Sequence, residues 1–239
     1  MNIPKSSNGS FNKIAFVWLT SEYHLFDKGL IMPDYGHILM ATVLKQNGYD
    51  VTAFVDKLFP KIDWKMFSGF NAVCMTPMTP SASKSLNLAK QIKMNLGIPV
   101  IAGGAFPTYY PEIVLKYFDY GIRKEGEESL VELLQALEAG SELENIRGIS
   151  FRKDNMVYVT PERNGLEKVP NIIPDYSLIK NLNKYSTPGL LLRKQAFWMN
   201  TLQTSRGCPF RCSFCVTPDL FQNKFNLRDI DNVIEDIKF

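Results

Sequence analysis

Ile14-Ala-Phe-Val-Trp-Leu19 is an uninterrupted apolar run between polar flanks, and it reads as a strand buried on both faces. A strand open to water on one side would alternate apolar with polar residues, and this one does not. Working outward, Val51-Thr-Ala-Phe-Val55, Ala72-Val-Cys-Met75, Pro99-Val-Ile-Ala102 and the short Tyr120-Gly-Ile122 follow as four more strands. Helical patterns separate them. Between the first two strands, Tyr35 to Asn47 sets Ile38, Leu39, Thr42 and Val43 at helical spacing, with Gly48 as a left-handed stop. Leu86, Ala89, Ile92 and Leu96 mark the next helix, capped by Ser81 or Ser83 and ended by Gly97. A helix from Glu127 to Glu138 places Glu127 and Glu128 at its positive dipole end. The alternation predicts an α/β fold, a doubly wound five-stranded parallel sheet over about residues 12–140.

The pattern changes beyond that point. Ile146 to Phe151 and Met156 to Thr160 flank Arg152-Lys-Asp-Asn155, which predicts a hairpin with a four-residue polar turn. Prolines and Asn164-Gly165 between residues 161 and 174 mark a linker, with a short helix starting near Asp175. Residues 141–199 are thus read as hairpin and linker. In residues 200–239, Asn200-Thr-Leu-Gln-Thr204 is expected to be a strand leading into a cysteine-rich loop, and Asp229 caps a helix that runs to Phe239.

Bulk properties narrow the function classes. A chain of 239 residues with 45% hydrophobic content exceeds one average domain. Its 27 basic and 24 acidic residues give a net charge of +3, too small and too evenly spread to predict a nucleic-acid surface. Met1 to Asn12 lack the apolar run of a signal peptide, and Ile14–Leu19 falls far short of the roughly 20 residues that cross a bilayer. The expectation is a soluble cytoplasmic protein without a membrane span. Three of the four cysteines crowd into residues 208–215, unlike a disulfide framework, so the compartment is read as reducing.

The chemistry concentrates in Ser205-Arg-Gly-Cys208-Pro-Phe-Arg-Cys212-Ser-Phe-Cys215. Three soft thiolates on one tight loop suit an iron–sulfur cluster or zinc. Zinc would want a fourth ligand, but Cys74 lies far back on a predicted buried strand, and neither His24 nor His37 is spaced to complete a site. Three cysteines are one short of a fully ligated cubane, which leaves one iron open. In the first half, the loops at the carboxyl ends of the strands, 20–33, 76–81 and 103–108, are where an open parallel sheet binds ligands. Within them Gly103-Gly-Ala-Phe-Pro-Thr108 lets a bulky ligand approach the backbone, although a Gly-Gly after a strand also serves as a plain turn.

Thr204 to Cys215 resembles the signature loop of the radical S-adenosylmethionine (radical SAM) superfamily. That resemblance implies that Cys208, Cys212 and Cys215 hold a 4Fe-4S cluster whose open iron chelates S-adenosylmethionine. It further implies that an electron, from a donor such as flavodoxin or ferredoxin, cleaves the sulfonium to a deoxyadenosyl radical. Phe214 matches the aromatic placed against the adenine, and simple loop packing is compatible with that role. Arg206 and Arg211 are read as solvated cations or as partners of an anionic cluster.

The preceding stretch is similar to the flavodoxin-like cobalamin-binding domain found in one branch of these enzymes. The similarity rests on Pro33-Asp-Tyr-Gly36 through Gly48-Tyr-Asp-Val51, Thr79-Pro-Ser81, Ile98-Pro-Val-Ile-Ala-Gly-Gly104 and Glu125-Gly-Glu127. It implies that Thr76, Pro77, Thr79, Gly103, Gly104 and Ala105 line the pocket for the cobalamin nucleotide tail, with Glu125 and Gly126 at its rim. A solvated acid ahead of a helix is the plain alternative for Glu125. Relatives that ligate cobalt from below carry Asp-x-His-x-x-Gly; with that glycine on Gly36, Ile31 and Pro33 stand where the Asp and His would be. Cobalamin without a lower histidine ligand is therefore expected, with His24 and His37 as surface or packing residues.

The activity implied is methyl transfer to an unactivated carbon or phosphorus centre of a small-molecule substrate. Oxidative cyclisation or rearrangement would use the same residues, and a non-catalytic cobalamin module with a vestigial cluster loop is a different class. A methylthiotransferase-like reading is set aside because Cys74 is the single cysteine upstream of the loop. A radical SAM barrel needs about six strand–helix units. Residues 200–239 are expected to supply only its first, so a truncated chain, inactive alone, is the expectation.

Overall fold

The computed structural model describes residues 11–20, 34–182 and 201–238. His24, Ile31, Pro33 and Asn200 lie outside the described residues, as does most of the loop between the first strand and first helix. In the first part of the chain, the elements are β1 (Lys13–Trp18), α1 (Tyr35–Gln46), β2 (Asp50–Val55), β3 (Ala72–Met75), α2 (Ala82–Leu96) and β4 (Val100–Ala102). Then come α3 (Ala105–Tyr109), α4 (Pro111–Val114), β5 (Tyr120–Ile122), α5 (Glu127–Ala139), β6 (Ile149–Lys153) and β7 (Met156–Val159). The last described stretch forms β8 (Ser205–Gly207), α6 (Thr217–Leu220), β9 (Phe225–Leu227) and α7 (Ile230–Lys238).

The sheet order is β2-β1-β3-β4-β5-β6-β7, with β1 to β5 parallel and β6 and β7 antiparallel. The doubly wound arrangement follows from the residue pattern of β1. Ile14 and Phe16 enter a core with Ile38, Ala41 and Leu44 of α1 and Leu130, Leu133 and Leu134 of α5. Ala15 and Val17 face the other way, onto Leu88, Ala89 and Ile92 of α2 and onto Val114 and Phe118. Burying both faces is why these strands read as continuous apolar runs. Strand order reverses between β1 and β3, and this switch point opens at the carboxyl ends of the strands.

Helix boundaries follow local signals. Asp34 caps α1 by accepting from the His37 amide at 3.1 Å, and Gly97 and Gly140 end α2 and α5 in the left-handed conformation. Several expectations are corrected. Ser81 occupies the N-cap position of α2 without a side-chain capping bond; its hydroxyl instead meets the Met78 backbone after a 3-10 turn over Thr79–Ser81. The hairpin extends the sheet by two strands, and its turn is two residues rather than four. Lys153 pairs with Met156, leaving Asp154 and Asn155 at φ 50° and 65°, the left-handed pair that a tight hairpin demands.

The segment 161–182 is not a free tether. Arg163 bonds Glu128 at 2.6 Å and also reaches Glu132, while the Asp175 amide donates to Thr42 Oγ1 at 2.8 Å. Ile179 bridges to Ala53 beside β2. The expected helix near Asp175 is a single 3-10 turn over Tyr176–Leu178, capped by Asp175. The expected strand before the cysteine loop is displaced: residues 201–204 are irregular, and pairing begins only at Ser205. Among the described residues, no helix is long and apolar enough to cross a membrane.

Candidate functional site

The carboxyl ends of β1, β3, β4 and β5 floor a cavity of about 740 Å³. The N-terminal half of α1 walls it on one side, and Thr201, Gln203, Arg206 and Phe221, from the segment that carries the cysteines, wall it on another. The cavity sits where the reversal of strand order predicts a ligand crevice.

Gly103 and Gly104 shape the floor. Gly104 has φ 91° and ψ −160°, a conformation essentially reserved for glycine, and a Cβ there would come within 2.8 Å of Thr76 Cγ2. At Gly103 a Cβ would meet nothing within 4 Å. The chain then enters α3 directly, so Ala105 starts a helix where a loop was expected.

On the α1 wall, His37 is 5% exposed and its Nδ1 lies 3.2 Å from Asp34 Oδ1. Burial works to raise the Asp34 pKa, but the charge and hydrogen bonds of His37 prevail and hold it at about 2. His37 Nε2 and Trp18 Nε1 are buried with no hydrogen-bond partner among the described residues, and both side chains line the cavity. His37 is thus neither a surface residue nor a satisfied packing residue. Orphaned buried donors and acceptors at a cavity wall fit a ligand that brings polar groups of its own.

The opposite rim is ionic. Lys124 takes φ 58°, turning the chain at the end of β5, and its amide donates to Thr108 Oγ1 at 2.9 Å. Arg206 Nη1 then reaches Glu125 Oε1 at 3.1 Å and Glu127 Oε1 at 2.5 Å. Burial disfavours the Arg206 charge, yet Glu127 and Glu125 together keep its pKa above the ordinary arginine value. Arg206 is therefore a buried ion-pair member and not the solvated or cluster-facing cation expected from sequence, and Glu125 is not a solvated acid.

The predicted site residues divide. Thr76, Gly103, Gly104, Glu125 and Gly126 line the cavity; Pro77, Thr79 and Ala105 do not. Cys208 is partly exposed and Cys212 and Cys215 are exposed, with the Cys215 amide donating to the Cys212 carbonyl at 3.0 Å. A hydrogen bond with Thr217 lowers the Cys215 thiol pKa. Among the described residues, no three His, Cys, Asp or Glu side chains gather as a metal site, so the loop presents its thiols without converging them. Phe214 is 90% exposed, away from the cavity. Cys74 is buried in β3, with its thiol pKa pushed up by burial. Trp18, Asp34, His37 and Arg206 were missed as site residues; the Asp34-x-x-His37 spacing at a helix start was the one local signal available.

A parallel sheet with a cavity at its switch point defines a cofactor-binding α/β domain, and residues 27–134 match the B12 binding domain family. The chain is similar to cobalamin-binding-domain-containing radical SAM enzymes. An uncharacterized methyltransferase of Pyrococcus horikoshii is 30% identical over 79% of this chain and 38% of its own length. An anaerobic magnesium-protoporphyrin IX monomethyl ester cyclase of Rubrivivax gelatinosus is 27% identical over 83% of this chain and 37% of its own length. The chain thus spans little more than a third of these relatives. The radical SAM methyltransferase TsrM of Kitasatospora setae, solved with cobalamin and a 4Fe-4S cluster, has the same fold. Its TM-score is 0.73 at 20% identity, over 95% of this chain and 46% of that one.

Proposed function

We propose that the chain is the cofactor-binding part of a cobalamin-dependent radical SAM methyltransferase acting on an unactivated centre. The observation that carries this reading is the adjacency of two features: a cavity at the switch point of a B12-family sheet, and a wall of that cavity formed by the segment bearing Cys208, Cys212 and Cys215. When bound, the 4Fe-4S cluster supplies the electron that cleaves S-adenosylmethionine, and cobalamin supplies a methyl carrier.

This chain's own residues hold and orient those groups. The three thiolates are a soft donor set suited to iron–sulfur ligation. Gly103 and Gly104 admit a bulky group to the backbone, and Thr76, just past the end of β3, closes on it. The apolar floor from Phe16, Trp18 and Met75 excludes water. Cobalamin is held with no lower histidine ligand, a reading supported by Ile31 and Pro33 at the two relevant sequence positions. His37 Nε2 then offers a hydrogen-bonding position at the wall. Histidine-derived nitrogen coupling in the paramagnetic spectrum of bound cobalamin, lost in His37→Phe, would overturn that detail.

The similarity to the protoporphyrin ester cyclase supports a second reading, oxidative cyclisation, through the same residues. Anaerobic reconstitution with iron and sulfide tests the shared part. The expected product is brown, with charge-transfer absorption that shifts on adding S-adenosylmethionine and is absent in Cys212→Ala. A colourless wild-type chain leaves only a binding module.

A further inference from the structure

The segment that carries the cysteines is attached to the domain in an unusual way. Among the described residues, neither buried core cluster contains a side chain beyond Leu182. A two-stranded ribbon such as β8–β9 is marginal by itself. Neither core therefore holds it, and polar contacts tie it to the domain. Gln222 receives the Gly165 amide at 2.8 Å, Asn226 donates to the Leu166 carbonyl at 2.8 Å, and Arg206 enters the cavity rim.

Of these contacts, Arg206 alone unites cavity and cysteine loop. It is 8% exposed, against 12% for Glu125 and 11% for Glu127. An unpaired guanidinium buried to this degree would cost several kcal/mol, so the position of Arg206 is dictated by the two carboxylates. Glu125 is fixed from behind by the Leu166 amide on Oε2 at 2.8 Å, and Glu127 by its place in the first turn of α5. Arg206 precedes Cys208 by two residues, roughly 7 Å of chain at most. Gly207 between them has φ 87°, and its Cα packs so closely on Lys224 that a Cβ would lie 2.0 Å from the carbonyl oxygen. The step from the Arg206 backbone to the first cysteine is thus short and sterically confined.

We propose that Arg206, held between Glu125 and Glu127, is a positioning residue that fixes the cysteine loop to the rim of the cofactor cavity, so that occupancy of the cavity and order in the loop are coupled. The coupling rests on the cobalamin reading above; the clamp itself does not.

Hydrogen exchange of the full chain, read by mass spectrometry, tests it with hydroxocobalamin as the cavity probe. Arg206→Gln should speed exchange of amides 205–215 and 225–227 at least tenfold and leave β1 to β5 within twofold of wild type. Arg206→Lys should restore part of the protection, and Arg211→Gln, an equal charge change on the exposed loop, should alter neither region. In the wild type, hydroxocobalamin should slow exchange of 205–215 several-fold; in Glu125→Gln/Glu127→Gln, titrated to the same bound absorbance as wild type, that slowing should be lost. Wild-type exchange of 205–215 in Arg206→Gln overturns the clamp. So does collapse of sheet protection in that variant, because the ion triad would then be a stability element of the whole domain. Retained slowing in the double variant overturns the coupling. A wild-type chain that takes up no hydroxocobalamin defeats the functional reading and the coupling with it, while the ligand-free exchange of Arg206→Gln still decides the clamp.

Discussion

Gly104→Ala separates backbone geometry from cavity shape. At φ 91° and ψ −160°, an alanine pays for a conformation that costs about 1–3 kcal/mol outside glycine. Its Cβ also falls 2.8 Å from Thr76 Cγ2, a contact that Thr76 must relieve by moving. Together these predict a loss of roughly 2–4 kcal/mol, or a melting temperature lower by roughly 5–15 °C for a chain of this size. Thr76→Ser removes the clashing methyl, so Thr76→Ser/Gly104→Ala should regain about 1 kcal/mol over Gly104→Ala, once the cost of Thr76→Ser alone is subtracted. Gly103→Ala is the control, with no positive φ and no atom within 4 Å of the new Cβ, and should stay within about 1 kcal/mol of wild type. Thermal unfolding followed by circular dichroism reads all four. A Gly104→Ala chain melting within a degree or two of wild type would refute the strained floor.

Other outcomes follow from the same contacts. Asp34 has a folded pKa of about 2 against an ordinary 3.8, so its contribution is fully present above pH 3.8 and is lost as pH falls through about 2. Urea midpoints should show wild type losing its advantage over Asp34→Asn, on the order of 2 kcal/mol, across that window. Arg228 is fully buried on a bidentate contact with Asp236, so Asp236→Ala strands its charge at a cost of roughly 3–5 kcal/mol. Because α7 lies outside both cores, limited proteolysis should cut within 229–238 before the sheet melts. In thiol titration of the native chain at pH 8, Cys215 should react fastest and Cys74 only after unfolding, since Thr217 lowers one pKa and burial raises the other.

The sheet was legible in the sequence because its information is local. Ile14 to Leu19 and Ala72 to Met75 are continuous apolar runs, and Gly97 and Gly140 mark helix ends by backbone chemistry alone. Reading failed where the decision is non-local. Asn200 to Thr204 has strand-like composition, but pairing is set by the partner at Phe225–Leu227, so the strand starts at Ser205. Gly103-Gly-Ala-Phe-Pro looked like a loop because glycine and proline break helices, although proline is tolerated within the first turn, where α3 places it. Arg206 read as a surface cation because its partners, Glu125 and Glu127, lie some eighty residues away. His37 read as packing because the orphaned nitrogen is visible only once Trp18 and Asp34 surround it.

The most direct test of the account is cobalamin uptake by the chain. Mixed with excess hydroxocobalamin and freed of unbound cofactor by gel filtration, the protein should retain close to one equivalent by visible absorbance. Gly103→Trp, which fills the cavity floor, should retain little while keeping the wild-type circular dichroism spectrum. A wild-type chain that emerges colourless, or a Gly103→Trp chain that binds as well as wild type, would contradict the assignment of this cavity.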